Sequence, residues 1–153
     1  MQTLRRTPPH EDTTFLPDGG RPVLLATLDV PFDEEAAAFA VDAAVENGQP
    51  LVVVNAAQIL PATWALLGYG YIERDDLQEE LLKPAELAHS LAVHVERLRV
   101  CSPHPVDALL ELVAERSPGL LVFGPDRARL RRWTYARAVR RIRKRASCLV
   151  WMS

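Results

Sequence analysis

The chain has 153 residues, 48% of them apolar, which is enough for the core of one domain of common size but not for a second. No apolar stretch reaches the roughly 18 residues that a membrane span requires, and the N-terminal residues lack the apolar run of a signal peptide. We therefore expect a soluble, cytoplasmic protein with a flexible tail over residues 1–20 and one domain over residues 21–153. Cys101 and Cys148 are too few for a disulfide framework, and we expect both to be reduced thiols.

The net charge of −2 conceals a division along the chain. Residues 1–126 hold all 20 acidic residues and only eight basic ones, whereas residues 127–153 hold ten basic residues and no acidic one. The two parts can neutralise each other within the fold, pair between subunits, or leave a basic face for an anion. The sequence leaves these three alternatives open.

The first part of the chain alternates apolar strands with a helix. Residues 21–29, RPVLLATLD, form a compact apolar run that predicts a strand. The alanine-rich segment that follows has helical spacing, with Asp33 suited to its start and Gly48 to its end. Residues 51–57, LVVVNAA, predict a strand that is buried on both faces, as in a parallel sheet. A strand, a helix and a second strand in this order indicate a parallel crossover unit.

The rest of the chain continues the alternation, which predicts right-handed crossovers and a parallel, three-layer, Rossmann-like α/β domain. The predicted segments are an irregular excursion over residues 58–75, a helix from Asp76 to about Glu96 that Pro84 kinks or divides, a polar edge strand over residues 97–102, a helix beginning near Pro105, a buried strand over residues 120–124, a helix over residues 134–146 and a last strand over residues 148–152.

Three features of the sequence resemble the universal stress protein family, and the resemblance extends over residues 21–153. They are Asp29 at the end of the first strand, the phrase DALLELVAERSPGLLVFG that ends at Gly124, and Ala146-Ser147-Cys148 before the last strand. The resemblance implies an open, parallel five-stranded sheet of order 3-2-1-4-5 with helices on both faces. In the members that bind one, it also implies an adenine nucleotide across the carboxyl ends of the first and fourth strands, where an open α/β sheet generally places its ligand.

The glycine pattern of the nucleotide-binding members is only partly present. Those members have G-x-x-G and, after about nine residues, G-S or G-T, because glycine lets backbone N–H groups come close to phosphates. Gly124 matches the first glycine, whereas Arg127 occupies the second and Arg137 falls in the final pair. Asp29 matches the strand-end aspartate, and Ala56 lies where the second strand contributes backbone to adenine recognition. These five residues are our predicted site, an eroded or weak one for ATP or another adenine nucleotide.

The arginines after the fourth strand have several interpretations. In the predicted helix the apolar residues form one stripe, so the basic residues occupy its flanks and outer face. They form a solvated helix face, bind an acidic protein partner, or bind a small anion through guanidinium forks that replace the missing glycines. The arginines of this last alternative are Arg127, Arg129, Arg131, Arg132 and Arg137. Nucleic acid is disfavoured by the acidic remainder of the chain and by the isoelectric point of about 6.1. The apolar stripe comprises Tyr135, Ala138, Val139, Ile142 and Ala146.

The sequence predicts a non-catalytic binding or regulatory protein. The alternative is an anion-binding protein or a nucleotide-dependent enzyme that uses the loop after the fourth strand, although a P-loop, paired carboxylates for Mg²⁺ and an arranged general base are missing. We assign no catalytic or metal-binding residue, since Cys101 and His104 alone make a poor zinc site. The last strand, Cys148 to Met152, is apolar and would leave an open sheet edge, so we expect a homodimer through this strand.

Overall fold

Strands and helices alternate through residues 20–59 and 75–153, which are the residues described by a computed structural model of the protein. The elements are β1 (Val23–Thr27), α1 (Glu34–Asn47), β2 (Leu51–Gln58), α2 (Asp75–Ser90), β3 (Val95–Ser102), α3 (Pro105–Arg116), β4 (Leu120–Phe123), α4 (Arg132–Arg145) and β5 (Leu149–Met152). The strands form one parallel five-stranded sheet in the order β3-β2-β1-β4-β5. The predicted fold class and strand order are confirmed.

The sheet is the middle of three layers because successive side chains of a strand point to opposite faces. Leu25 of β1 belongs to the cluster formed with α1 and α2, whereas its neighbour Leu24 belongs to the cluster formed with α3 and α4. Both leucines are fully buried. Covering on both faces explains why the central strands consist of continuous apolar runs and not of alternating apolar and polar residues.

The ends of α1 lie where the sequence predicts them. Asp33 is the N-cap, and its carboxylate accepts a hydrogen bond from the Ala36 N–H at 3.0 Å. Gly48 is the C-cap in the left-handed conformation, with φ of 61°, and its N–H bonds to carbonyls of the last turn. Glycine has no Cβ to oppose this conformation, so the sequence stops the helix there.

The predicted extent of the second helix was wrong at its C-terminal end. The sequence predicts a helix to about Glu96, but α2 ends at Ser90 and continues past Pro84 without being divided. Ala92 takes a left-handed conformation with φ of 61°, and the N–H of Val93 donates to a carbonyl within the last turn of α2. Apolar residues keep their helical spacing through this turn, so periodicity could not mark the end of the helix. The remaining boundaries differ from prediction by about two residues or fewer.

The two cysteines lie near opposite edges of the sheet. Cys101 belongs to β3 at one edge, and Cys148 directly precedes β5 at the other. Both are free thiols, as the predicted strand order requires. Burial raises the pKa of the Cys148 thiol, which keeps this side chain protonated and poorly nucleophilic near neutral pH.

Two predictions fall on the rest of the chain. The predicted tail over residues 1–20 lies outside the described residues except for Gly20, and most of the excursion predicted for residues 58–75 lies outside them as well. Within the described ranges, no helix combines the length and the apolar character needed to cross a membrane.

Candidate functional site

The candidate site is the crevice at the carboxyl ends of β1 and β4, the central neighbours at which the strand order reverses. Ala26 of β1 pairs with Phe123 of β4, and beyond this pair the chain turns to α1 on one face and to α4 on the other. Such a switch point is where an open α/β sheet generally places its ligand crevice. Asp29 follows the end of β1 and Gly124 the end of β4, so the fold brings these two predicted site residues to one edge.

Asp29 is held in place by Asn55 at the end of the neighbouring strand. The Asp29 N–H donates to Asn55 Oδ1 at 2.7 Å, and Asn55 Nδ2 donates to Asp29 Oδ1 at 3.4 Å. Asp29 has φ of 55°, a left-handed conformation that aspartate and asparagine tolerate better than most residues. Asn55 was not predicted as a site residue. The sequence did contain a signal, because Asn55 ends the apolar run VVVN and a buried amide needs a hydrogen-bond partner.

Ala56 lies one residue beyond the last pair that β2 makes with β1. That last pair is Thr27 with Asn55, whereas Ala56 pairs only on its other side, with Val100 of β3. The Ala56 side chain is 1% exposed and belongs to the core under α3 and α4. Any contact with a ligand would therefore be made by the backbone of Ala56, which is the role that the resemblance implies and which stays a prediction.

Gly124 is required by the packing of α1 against the sheet. A Cβ added at residue 124 would lie 2.2 Å from the Cβ of Ala36 in the first turn of α1. The Gly124 N–H donates to the Ala26 carbonyl at 3.0 Å, and its carbonyl accepts from the Asp33 N–H at 2.9 Å. The glycine that matches the family pattern thus has a structural explanation that needs no phosphate.

The loops that follow β1 and β4 pair with each other across the crevice. Phe32 and Pro125 form an antiparallel bridge, and the Asp126 N–H donates to the Pro31 carbonyl at 2.8 Å. Together with the bond from Asp33 to Gly124, these contacts join residues 31–33 to residues 124–126, a contact that we call the loop bridge. In the loop bridge the N–H groups of Asp33 and Asp126 are bonded within the protein.

Asp126 uses most of the remaining N–H groups of the loop after β4. Its Oδ1 accepts from the Ala128 N–H at 3.0 Å, and its carbonyl accepts from the N–H groups of Arg129 and Leu130 at 3.1 and 3.2 Å. Pro125 has no N–H to offer. A phosphate cradle needs several free N–H groups that point at one place, and here those groups bond within the loop.

The predicted arginines lie against different partners. The Arg127 guanidinium lies 4.4 Å from the centroid of the Tyr135 ring, and the Arg137 guanidinium lies 5.3 Å from that of Trp133. Arg129 is 3.7 Å from an Asp126 carboxylate oxygen and 3.8 Å from one of Glu80. The three arginines thus contact three different sets of groups, and their role as a substitute for the missing glycines stays a prediction.

A shallow basic groove that is open to solvent runs along α4. Its volume is about 820 Å³, and Arg127 is the one predicted site residue that lines it. On the opposite flank of α4, Arg141 and Arg145 approach Oδ1 of Asp107 in α3, at 2.9 and 3.3 Å. The basic groove is lined by Arg127, Arg132, Tyr135, Ala136, Val139, Arg140, Arg143 and Lys144.

In residues 20–59 and 75–153, no three side chains of the His, Cys, Asp and Glu types converge closely enough to hold a metal ion.

Comparison with known proteins gives a family and a set of similar folds. The sequence model of the "Universal stress protein family" matches residues 20–153. A universal stress protein from Archaeoglobus fulgidus has 22% sequence identity to this chain and a TM-score of 0.59, over 86% of this chain and 92% of that one. The structure of the universal stress protein from the same organism in complex with dAMP has 17% sequence identity to this chain and a TM-score of 0.60, over 86% of this chain and 96% of that one.

A third solved structure, of a universal stress protein in complex with cAMP, shares 18% identity with this chain at a TM-score of 0.58, over 89% of this chain and 98% of that one. At these identities the structural likeness shows the fold. No curated protein sequence matches the chain. The family match covers the whole predicted domain and confirms the resemblance seen in the sequence, and the chain therefore belongs to the universal stress protein family.

Proposed function

We propose that this protein is a non-catalytic, cytoplasmic regulatory member of its family whose crevice binds adenine nucleotides only weakly. The loop bridge is the observation that carries the proposal. It occupies the Asp126 N–H, while the Gly124 N–H bonds to β1. A triphosphate would have to break these bonds or forgo backbone contacts, and either choice costs binding free energy.

The nucleoside end of the crevice supports an adenine ligand. Asp29 keeps a carboxylate at the end of β1, and Asn55 fixes its backbone and side chain. Related structures carry dAMP and cAMP, ligands with a single phosphate. A ligand with a single phosphate needs the fewest N–H contacts from the loop after β4. A monophosphate should therefore bind here more tightly than ATP does.

Titration calorimetry with AMP, cAMP and ATP tests this proposal. We expect dissociation constants of about 0.1–1 mM for the monophosphates, which is about 4–5.5 kcal/mol of binding free energy, and weaker binding of ATP. Asp29→Asn should abolish the measurable heat, because asparagine tolerates the left-handed conformation but carries no charge. Asp33→Asn is the control, since it removes a nearby carboxylate and keeps the helix cap.

Two results would contradict the proposal. Micromolar binding of ATP would mean that the loop bridge opens at little cost. ATP hydrolysis by the wild-type protein that disappears in Asp29→Asn would mean that the protein is an enzyme, the alternative left open by the sequence.

We further propose that the protein is a homodimer that pairs through β5. β5 is an edge strand, and Leu149 is 72% exposed. Trp151 stacks on Phe39 of α1 with ring centroids 4.9 Å apart, and Phe39 itself remains 37% exposed. An unpaired strand beside an apolar strip offers a second copy both backbone bonds and burial.

Light scattering at micromolar concentration tests the dimer. We expect about twice the chain mass of 17.1 kDa for the wild type. Leu149→Lys should favour the monomer, because it places a charge on the edge without touching the core. Leu91→Lys is the matched control, since Leu91 is 49% exposed and lies in the turn after α2, outside β5. A wild-type monomer throughout the concentration range would refute the proposal.

A further inference from the structure

The two flanks of α4 differ in how their positive charges are neutralised. On the α3 flank, Asp107 lies within ion-pair distance of both Arg141 and Arg145. On the groove flank, the basic side chains of the helix are exposed, and no carboxylate of the described residues lies within ion-pair distance of them. The basic groove is therefore a concentration of positive charge for which the described part of the fold supplies no counter-charge. Its helical cations are Arg132, Arg140, Arg143 and Lys144.

Arg127 is held in position at one end of the basic groove. Its guanidinium lies over the Tyr135 ring, and that ring stacks on Phe123 with centroids 6.0 Å apart. The Tyr135 hydroxyl donates to the carbonyl of Ser153, which follows β5. A guanidinium fixed by a ring that is itself fixed loses less conformational freedom on binding than a free arginine does. This end of the groove is thus prepared for an anion.

The spacing of the cations fits a chain of charges better than a single small anion. Arg132 and Lys144 are twelve residues apart on one helix, which corresponds to about 18 Å. One sulfate or phosphate ion could contact only neighbouring side chains of this row. A chain of linked phosphates, in contrast, can contact Arg132 at one end of this length and Arg140, Arg143 and Lys144 at the other.

We propose that the basic groove binds a chain of phosphate groups, as found in inorganic polyphosphate or in the backbone of a single-stranded nucleic acid. Four of its five cations are arginines, whose planar forks bind phosphate oxygens in pairs. The groove is also lined by Tyr135, Ala136 and Val139, which carry no carboxylate that would compete with phosphate for the cations. An acidic peptide is a poorer match, because binding must order each of its flexible glutamate side chains, whereas phosphate charges belong to the chain itself.

Fluorescence anisotropy with a labelled oligothymidylate of about ten nucleotides tests the proposal, with unlabelled polyphosphate and oligoglutamate of similar length as competitors. We compare the double variant Arg140→Gln/Arg143→Gln in the groove with Arg141→Gln/Arg145→Gln on the α3 flank. Both variants remove two positive charges from exposed positions of the same helix. Circular dichroism verifies that each is folded.

We expect the groove variant to bind about tenfold more weakly and to lower the slope of log affinity against log salt by about 1.4, which is about 0.7 for each lost phosphate contact. The α3-flank variant should stay within about twofold of the wild type, since exposed ion pairs contribute little. Competition by polyphosphate at concentrations matching the oligonucleotide supports a free phosphate chain, and much weaker competition supports nucleic acid. Equal losses in both variants, no binding at low salt, or oligoglutamate competing as well as polyphosphate would each overturn the proposal.

Discussion

The two halves of the crevice use their polar groups in opposite ways. At the ends of β1 and β2, the side chain of Asn55 bonds to both the backbone and the carboxylate of Asp29. In the loop after β4, the N–H groups of Asp126, Ala128 and Arg129 bond to protein carbonyls and carboxylates. The two halves can therefore diverge separately, because the ends of strands position the first and a loop builds the second.

Gly124, at the start of the loop after β4, packs directly against α1. Its substitution should lower the free energy of unfolding more than any other change considered below. In Gly124→Ala the new Cβ would lie 2.2 Å from the Ala36 Cβ, so α1 must shift from the sheet. We expect the free energy of unfolding to fall by about 3 kcal/mol, as for other overpacked cores. Urea denaturation measures this loss.

Ala36→Gly provides the control, because it removes the atom that the new Cβ would meet. Alone it should cost about 1 kcal/mol, the usual penalty of glycine in a helix. Combined with Gly124→Ala it should recover much of the lost stability, giving a coupling energy of about 2 kcal/mol. If Gly124→Ala leaves stability unchanged but alters nucleotide binding, the glycine serves the ligand and the packing explanation fails.

Much of the fold was predictable because its signals are local. The apolar runs of β1, β2 and β4 reflect burial on both faces, and the cap residues Asp33 and Gly48 mark both ends of α1. The end of α2 was not predictable in the same way, because it depends on the left-handed conformation of Ala92, a residue with no preference for it.

The site was less predictable because its contacts join distant parts of the chain. The sequence singled out Asp29 but not Asn55, 26 residues away, which holds it. The helical stripe placed the arginines on the flanks of α4, yet only the fold shows that Asp107 serves one flank alone. The charge of the whole chain, on which the expectation about nucleic acid rests, does not show where on the surface that charge is concentrated.

Asn55→Ala tests the half of the site at the ends of β1 and β2. It should lower the free energy of unfolding less than Gly124→Ala does. Asn55 is 6% exposed, and its loss leaves the Asp29 N–H without the acceptor at 2.7 Å. We expect the free energy of unfolding to fall by about 1.5 kcal/mol, the usual range for a buried group that loses its partner.

The control for Asn55→Ala is Gln58→Ala, which removes an exposed amide from the same strand. The Gln58 amide donates to the Pro103 carbonyl at 3.4 Å, a bond open to solvent, so its loss should cost less than about 0.5 kcal/mol. Calorimetry with AMP separates stability from binding, because Asn55→Ala frees the Asp29 carboxylate to move and should weaken AMP binding, whereas Gln58→Ala should not. Unchanged AMP binding in a folded Asn55→Ala protein would mean that the strand-end half of the crevice does not hold the nucleoside. The two halves would then differ only in how their residues pack.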